Sequence, residues 1–225
     1  MAGSFKDRSS EIQKAIGDLV NKDKLVSPTV IAVSKRQSLE KIKEAYGCGQ
    51  RDFGENYWQE AKENIQNFNE VGVRWHLIGQ VQSKKIKEIT GSFFLIHSVS
   101  RRQEFLKIAE VAHSKNITQR ILLQVNIAGE ASKQGFSLDE FRDVVQEARK
   151  HASLVVEGMM VFPPLEAQGK SQWFTKSQKL FEDLKNPQAP EWCVLSMGTS
   201  GDYLEAMRFG ATHLRIGESL MGPRS

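Results

Sequence analysis

The chain has 225 residues and a formal net charge of +4, from 31 Lys and Arg against 27 Asp and Glu. The acidic and basic residues are interleaved, which argues against the clustered basic face of a nucleic-acid-binding protein. No apolar run approaches the ~20 residues of a membrane span, and the N-terminus lacks the apolar stretch of a signal peptide. We therefore expect a cytoplasmic protein. Its hydrophobic content of 40% can form a core without metal or disulfide bonds.

The first predicted element is an amphipathic helix within residues 1–25, because Ile12, Ile16 and Leu19 fall on one helical stripe. After it, short β-rich runs alternate with helical patterns. There are eight such runs: Val30–Val33, Asp52–Glu55, Arg74–Ile78, Phe93–Val99, Arg120–Ile127, Val155–Phe162, Trp192–Met197 and Thr212–Ile216. Strands separated by helices favour a parallel sheet.

Capping signals mark several helix starts. Ser137 and Glu140 have the spacing of a capping box, and Asn56 can cap a helix that begins at Tyr57. An open doubly wound sheet would give the same alternation, so the pattern alone does not exclude it. The count of eight favours a single-domain α/β fold over 1–225, a (β/α)8 TIM-type barrel with an extra N-terminal helix packed on it.

Residues after the seventh and eighth strands have the composition of an anion site. Ser196, Gly198, Thr199 and Ser200 precede a helix predicted near Gly201. Backbone N–H groups at a helix start bind anions, and barrels often bind phosphate with the loops after these two strands. Gly217, after the eighth strand, can add another N–H. The alternative is that Ser200 only caps a helix and the glycines only form turns.

Lys35 directly follows the first apolar strand, so its stem should rise from the inner wall of the barrel. A lysine there can extend to solvent, but lysine is also the residue that forms Schiff bases with carbonyl compounds. Beside a phosphate site, it suggests a phosphorylated aldehyde as ligand. Arg215 would add a permanent cation near that ligand; the alternative is an ion pair with Glu218 or Glu55.

Eight stretches of the chain, in this order and at this spacing, resemble the pyridoxal phosphate homeostasis protein family. They are Ala32–Lys35, Phe53–Tyr57, Trp75–Gly79 with Gln82, Ile96–Val99, Val125–Ile127 with Glu130, Lys133 and Gly135, Gly158–Met160, Leu195–Gly198 with Ser200 and Asp202, and Arg215–Gly217. Each stretch alone is weak, but together they form a specific pattern over nearly the whole chain.

The resemblance implies a fold-type III barrel, like the N-terminal domain of alanine racemase but without its C-terminal β-domain. It implies pyridoxal 5′-phosphate held as a Schiff base on Lys35. It also implies the roles of the other site residues: phosphate contacts from Ser196, Ser200 and the Gly217 region, a lining of Met197 and Gly198, Arg215 facing the pyridine nitrogen, and Asn56 at the pocket. Thr199, Lys84 and Ser100 depart from the family's usual residues, in the phosphate loop and at the rim.

Other polar residues have less specific interpretations. His76 and His97 lack partners at metal-ligand spacing, so we expect hydrogen-bonded core histidines. Glu55 is expected to be a local hydrogen-bond anchor. Lys133 is equally compatible with contacting transferred cofactor and with facing solvent. Cys48 and Cys193 could be two buried thiols or a disulfide.

Two classes of function follow. The first is a carrier that holds the cofactor and delivers it to apo-enzymes; the second is a fold-type III amino-acid racemase or decarboxylase. Two-base racemization needs a proton donor opposite the lysine, which those enzymes obtain from a second domain and a dimer partner. This chain shows no second domain, so we predict a monomeric carrier with no catalytic residue and no metal ligand. A lysine-dependent aldolase accommodates Lys35 but not the family pattern.

Overall fold

The computed structural model describes residues 3–68, 70–131, 133–164 and 170–223. The strands are β1 Thr29–Val33, β2 Asp52–Glu55, β3 Arg74–Leu77, β4 Leu95–Val99, β5 Gln119–Val125, β6 Leu154–Val161, β7 Val194–Thr199 and β8 His213–Ile216. The helices are α1 Phe5–Asp23, α2 Leu39–Gly47, α3 Trp58–Asn67, α4 Ile86–Ile89, α5 Arg102–Ser114, α6 Leu138–Arg149, α7 Lys170–Asp183, α8 Tyr203–Arg208 and α9 Glu218–Met221, with a 3-10 turn at Ser83–Lys85.

The strands form a closed parallel barrel in sequence order, and β1 pairs with β8 to complete it. This confirms the predicted (β/α)8 architecture. In the closing register Ile31 pairs with Arg215 and Ala32 with Ile216. Because all strands run the same way, their carboxyl ends meet at one end of the barrel, which we call the mouth. The opposite end is the base.

Two apolar layers hold the barrel. Alternate strand residues such as Ala32, Phe53 and Leu195 belong to the main core together with the helices, as expected for strands buried on both faces. Inside the barrel lies a small cluster of four residues: Leu95, Leu122, Met160 and Val194. Buried polar side chains also occupy the interior, among them His76, His97, Ser196 and Arg215.

The N-terminal helix follows its prediction closely. Ser4 accepts a hydrogen bond from the backbone N–H of Asp7, and the Asp7 carboxylate accepts from Ser4 in return. The apolar stripe of α1 is buried, and the helix contacts α2, α8 and α9. The described residues include no helix that is both long and apolar enough to cross a bilayer.

Some local predictions were wrong. Asn56 does not cap α3, because Tyr57 remains extended and the helix starts at Trp58. The helix predicted near Gly201 starts at Tyr203, because the Asp202 carboxylate holds Thr199 in a preceding turn. Both cysteines are free and exposed, so they are neither buried nor paired. The capping box of Ser137 and Glu140 is confirmed.

Candidate functional site

Lys35 lies at the mouth, in the turn that ends β1. The backbone N–H of Gln37 donates to the Ser34 carbonyl at 3.0 Å, and Arg36 closes the turn with a φ of 56°. Lys35 is half-buried. Since β8 is the neighbour of β1, the turn is placed beside the end of β8, where Gly217 follows.

Asn56 follows β2 on the other side of Lys35 and is also half-buried. Its Oδ1 atom is inaccessible to solvent, and no donor reaches it from the described residues. A Cβ atom added to Gly79, after β3, would lie 2.1 Å from the Asn56 carbonyl oxygen. Gly79 therefore allows the β3 loop to pack directly on the Asn56 backbone, which fixes that residue at the mouth.

A hydrogen bond joins the loops after β7 and β8. The backbone N–H of Gly217 donates to Ser200 Oγ at 3.2 Å. Gly198 has a φ of +92°, and an added Cβ would lie 2.8 Å from the Cβ of Ala206, so this position requires glycine. Across the described residues, the N–H groups of Ser200 and Gly201 donate no hydrogen bond. They are available to an anion.

Ser196 and Met197 lie deeper than the rest of this loop. Met197 is fully buried in the main core, which leaves its backbone as the part that can face the mouth. Ser196 is also fully buried, and its hydroxyl lies 2.9 Å from His97 Nδ1 and 2.6 Å from Arg215 Nη1. Direct contact of Ser196 with a phosphate stays a prediction; the hydroxyl contacts the site through Arg215.

Arg215 is a buried cation inside the barrel, with a relative exposure of 3%. Besides Ser196, its guanidinium donates to the Val161 carbonyl at 2.9 Å, and it stacks over the Phe162 ring at 4.2 Å. Neither of these two hydrogen bonds goes to Glu218 or Glu55, the residues considered as alternative ion-pair partners of Arg215. Burial lowers the pKa of Arg215 to about 10, so it is charged at neutral pH. Its Nε atom is buried and unpartnered among the described residues.

A cavity of about 350 Å³ opens beside Phe162, within the usual range of ~300–1,000 Å³ for small-ligand sites. Its lining comprises Gln124, Val125, Asn126, Lys133, Gln134, Phe162, Pro163 and Thr199. Lys133 forms an ion pair with Glu130 at 2.6 Å. A larger cavity of about 730 Å³ lies towards the base, among residues 24–27, 181–193 and 207–212. We place the site at the mouth, where barrels bind ligands.

The three departures from the family's residues have ordinary structural roles. Thr199 donates its hydroxyl hydrogen bond to Asp202 at 3.0 Å, which supports the loop that follows β7. Lys84 is exposed in the 3-10 turn. Ser100 is buried and donates to the Glu104 carboxylate. Thr199 is the register partner of Arg215 in the β7–β8 pair.

Glu55 is a feature whose importance the sequence did not reveal. It accepts from Ser34 Oγ at 2.6 Å and from Asn64 Nδ2 at 3.0 Å, so the expected hydrogen-bond anchor is confirmed. The side chain is completely buried, however, and burial raises its pKa to about 7 despite these two hydrogen bonds. The carboxyl group ties the Lys35 turn to α3 from behind the strand.

His76 and His97 confirm the prediction of buried, hydrogen-bonded histidines. Both have no exposed surface, and Nδ1 of His76 lies 3.0 Å from Nε2 of His97. Among the described residues, no cluster of three or more His, Cys, Asp or Glu side chains could hold a metal ion. Sequence spacing could not show that the two rings meet, because they lie on different strands.

Comparison with known proteins gives a consistent set of relatives. Residues 20–225 match the family described as alanine racemase, N-terminal domain. The chain is 34% identical over 229 residues to the pyridoxal phosphate homeostasis protein of Pasteurella multocida (strain Pm70), with 98% of each chain covered. It is 35% identical over 204 residues to the protein of that name from Vibrio alginolyticus, covering 88% of this chain and 87% of the relative.

Solved structures agree with the sequence relatives. PipY of Synechococcus elongatus PCC7942, determined with PLP bound, superposes with a TM-score of 0.85 at 28% identity, over 97% of this chain and 100% of PipY. Alanine racemase of Clostridium difficile 630 superposes with a TM-score of 0.76 at 15% identity. That alignment covers 95% of this chain but 56% of the racemase, and it shows a shared fold alone.

Proposed function

Because the chain belongs to the pyridoxal phosphate homeostasis protein family, we propose that it binds pyridoxal 5′-phosphate on Lys35 and carries it without catalysing a reaction. The observation that carries this proposal is the arrangement of three features at one mouth. A lysine ends β1, the joined loops of Ser200 and Gly217 follow β7 and β8, and a buried arginine lies between them and the barrel interior.

The residues present fit this ligand. Its phosphate suits the N–H groups of Ser200 and Gly201, and the glycine at 198 lets the backbone approach closely. Asn56 Oδ1 and Arg215 Nε are buried polar atoms without partners among the described residues. Such atoms are costly unless something satisfies them, and a polar aromatic ring can. When bound, the cofactor supplies an aldehyde that condenses reversibly with a lysine amine.

Each site residue has a role in this proposal. Lys35 binds the aldehyde, and Asn56 orients the ring from the β2 side. Ser196, Ser200 and the Gly217 region contact the phosphate, Met197 and Gly198 line the site, and Ser196 also contacts Arg215. Arg215 faces the ring as a fixed cation, which disfavours protonation of a nearby pyridine nitrogen and makes the ring a poorer electron sink.

The comparisons support a carrier over a racemase. The homeostasis protein of Pasteurella multocida aligns over 98% of both chains, whereas the racemase match leaves much of that enzyme uncovered. The second base of a two-base racemization must lie on the opposite face of the cofactor. The described mouth residues place Lys35 on the β1 side and offer amide, hydroxyl and cationic groups around it.

Several finer features belong to the same proposal. We propose that the partners are apo-enzymes that require the cofactor, met transiently by a monomeric single-domain protein of residues 1–225. We propose the cytoplasm as its compartment, since two exposed free thiols suit a reducing environment. Neither nucleic acid nor a membrane is a proposed partner.

A visible absorption spectrum tests cofactor binding. The protein loaded with pyridoxal phosphate should absorb near the visible, and a carbonyl-trapping amine should bleach that absorbance. Lys35→Ala should lose the band, and the unloaded variant should unfold at the same temperature as unloaded wild type. Lys14→Ala, on the exposed face of α1, is the matched control and should keep it. A band that survives in Lys35→Ala would refute the assignment of Lys35.

Carrier function needs its own experiment. The loaded protein is mixed with an apo-aminotransferase, and reactivation is followed against the same concentration of free cofactor. Reactivation by the loaded protein supports the carrier. Failure to reactivate beyond the free-cofactor control contradicts delivery, and appreciable racemization of alanine by the loaded protein would instead support the enzyme.

A further inference from the structure

A series of hydrogen-bonded side chains, which we call the relay, connects the base of the barrel to Arg215. Asp52 Oδ1 lies 2.9 Å from Nε2 of His76, and Nδ1 of His76 lies 3.0 Å from Nε2 of His97. Nδ1 of His97 lies 2.9 Å from Ser196 Oγ, which lies 2.6 Å from Arg215 Nη1. The links join β2, β3, β4, β7 and β8. Because β4 and β7 are not neighbours in the barrel, the His97–Ser196 contact crosses its interior.

The base end of this relay is a carboxylate. Burial alone would raise the pKa of Asp52, but hydrogen bonds from Arg74 and His76 lower it to about 2. The Arg74 guanidinium holds Asp52 through two short contacts, at 2.6 and 2.5 Å. An ionised carboxylate only accepts hydrogen bonds. Nε2 of His76 must therefore carry its proton.

The proton on Nε2 of His76, together with the neutral state of both rings, sets the direction of each later hydrogen bond. Burial lowers the pKa of His76 despite its contact with Asp52, so the ring is neutral and its Nδ1 accepts from Nε2–H of His97. Burial also lowers the pKa of His97 far below the usual value, so its Nδ1 accepts from the Ser196 hydroxyl. With its proton committed to His97, Ser196 Oγ presents lone pairs to Arg215.

We propose that Asp52, His76 and His97 are positioning residues for Arg215, which through Ser196 hold the guanidinium in the orientation that faces the bound cofactor. The inference rests on the proposed binding of pyridoxal phosphate at this mouth. If the relay is broken, the Ser196 hydroxyl can rotate and donate elsewhere. The guanidinium then loses one of its two acceptors, and only the Val161 carbonyl remains.

The tautomers of the two histidines test the relay without any cofactor. Imidazole ¹⁵N NMR of the unloaded protein should show both His76 and His97 as neutral Nε2–H tautomers from pH 7 to pH 8. An Nδ1–H tautomer of His97, or its protonation within that range, would overturn the proposed direction of the hydrogen bonds. This measurement uses the wild-type chain, so it does not depend on whether a variant folds.

Variants then test the effect on the cofactor. His97→Leu should weaken pyridoxal phosphate binding roughly tenfold, the scale of one hydrogen bond to a charged group, and shift the pH titration of the bound chromophore by about half a unit. His97→Gln keeps one acceptor and one donor and should restore most of both properties. A purely structural role of His97 would not move the chromophore's titration.

His213 provides the matched control. Its ring lies 6.1 Å from that of His97, and its hydrogen-bond contact is with Thr212 rather than with the relay. His213→Leu should leave the affinity and titration near wild type. Equal effects from the His97 and His213 variants would overturn the relay, while cofactor binding itself would stand. If the wild type bound no pyridoxal phosphate, the proposed function would fail, and the tautomers would still decide the relay's geometry.

Discussion

The base and the mouth of the barrel treat their buried polar groups differently. At the base, Arg74 pairs with Asp52 and Arg120 pairs with Glu157 through two contacts each, and both guanidinium groups lie over the Phe94 ring. At the mouth, Asn56 and Arg215 each keep a buried polar atom without a partner among the described residues. The Asp52 and Glu157 carboxylates at the base are paired within the fold, whereas these two atoms at the mouth have no partner among the described residues. We therefore expect substitutions in the two base pairs to change stability and substitutions at the mouth to change ligand binding.

The largest expected effect is at Glu55, which places a destabilising carboxyl at the mouth. Its folded-state pKa of about 7 lies above the ordinary value of 4.5, so the native state binds the proton more tightly than the unfolded state. Unfolding free energy should therefore fall as pH rises from about 4.5 to about 7, by roughly 2–3 kcal/mol. Glu55→Gln should remove this loss in urea titrations at pH 5 and pH 8.

Glu63→Gln, on the exposed face of α3, is the control and should keep the wild-type pH dependence. Identical pH profiles of unfolding free energy for Glu55→Gln and wild type would show that burial does not raise the pKa of Glu55.

The next effect is at the base. Arg120→Met leaves the Glu157 carboxylate, only 8% exposed, without its partner. Because the Arg120 side chain is itself 39% exposed, we expect a loss of about 2 kcal/mol rather than the larger cost of a fully buried pair. Cofactor affinity should not change. Arg102→Met, which breaks the half-exposed pair with Glu147, should cost less than about 0.5 kcal/mol. A loss of cofactor binding in Arg120→Met would contradict the assignment of this pair to stability alone.

Two glycine substitutions should change the stability of the protein in opposite directions. Gly198→Ala forces a Cβ into contact with Ala206 at a φ of +92°, so it should destabilise the unloaded protein by about 1–2 kcal/mol and weaken cofactor binding. Gly17→Ala, in α1, meets nothing within 4 Å and should stabilise by about 0.5–1 kcal/mol. Thermal unfolding of both variants measures this, and a stable, fully binding Gly198→Ala would contradict the tight loop.

A small effect on stability is expected at the centre of the site. Arg215→Leu removes a buried cation together with two hydrogen bonds, and these changes should offset within about 1 kcal/mol in the unloaded protein. Cofactor affinity should nevertheless fall more than tenfold. Urea unfolding and a binding titration on one preparation separate the two. A large loss of stability in Arg215→Leu would show that Arg215 stabilises the fold, as the arginines at the base do.

Much of the fold could be predicted from the sequence because its signals are local. All eight strands were identified, since runs such as Val30–Val33 are apolar and bounded by turn residues, and their ends differ from the structure by at most two residues. The helix starts at Asn56 and Gly201 were misplaced. There, a contact with another loop or a neighbouring carboxylate decided the backbone conformation.

The site was predictable in part. Lys35, Ser200 and Gly217 fall at strand ends, where chain order alone brings them to one mouth. The role of Ser196 was not predictable, because its hydroxyl points to His97 on a strand 99 residues away in sequence. The raised pKa of Glu55 likewise comes from burial behind β2, which depends on helix packing and leaves no mark in the local sequence.

Borohydride reduction of the loaded protein, followed by mass analysis of its peptides, identifies the lysine that holds the cofactor. We expect a single pyridoxyl group, on the amino group of Lys35. A modified peptide that contains another lysine, such as Lys133 beside the neighbouring cavity, with Lys35 unmodified, would contradict it.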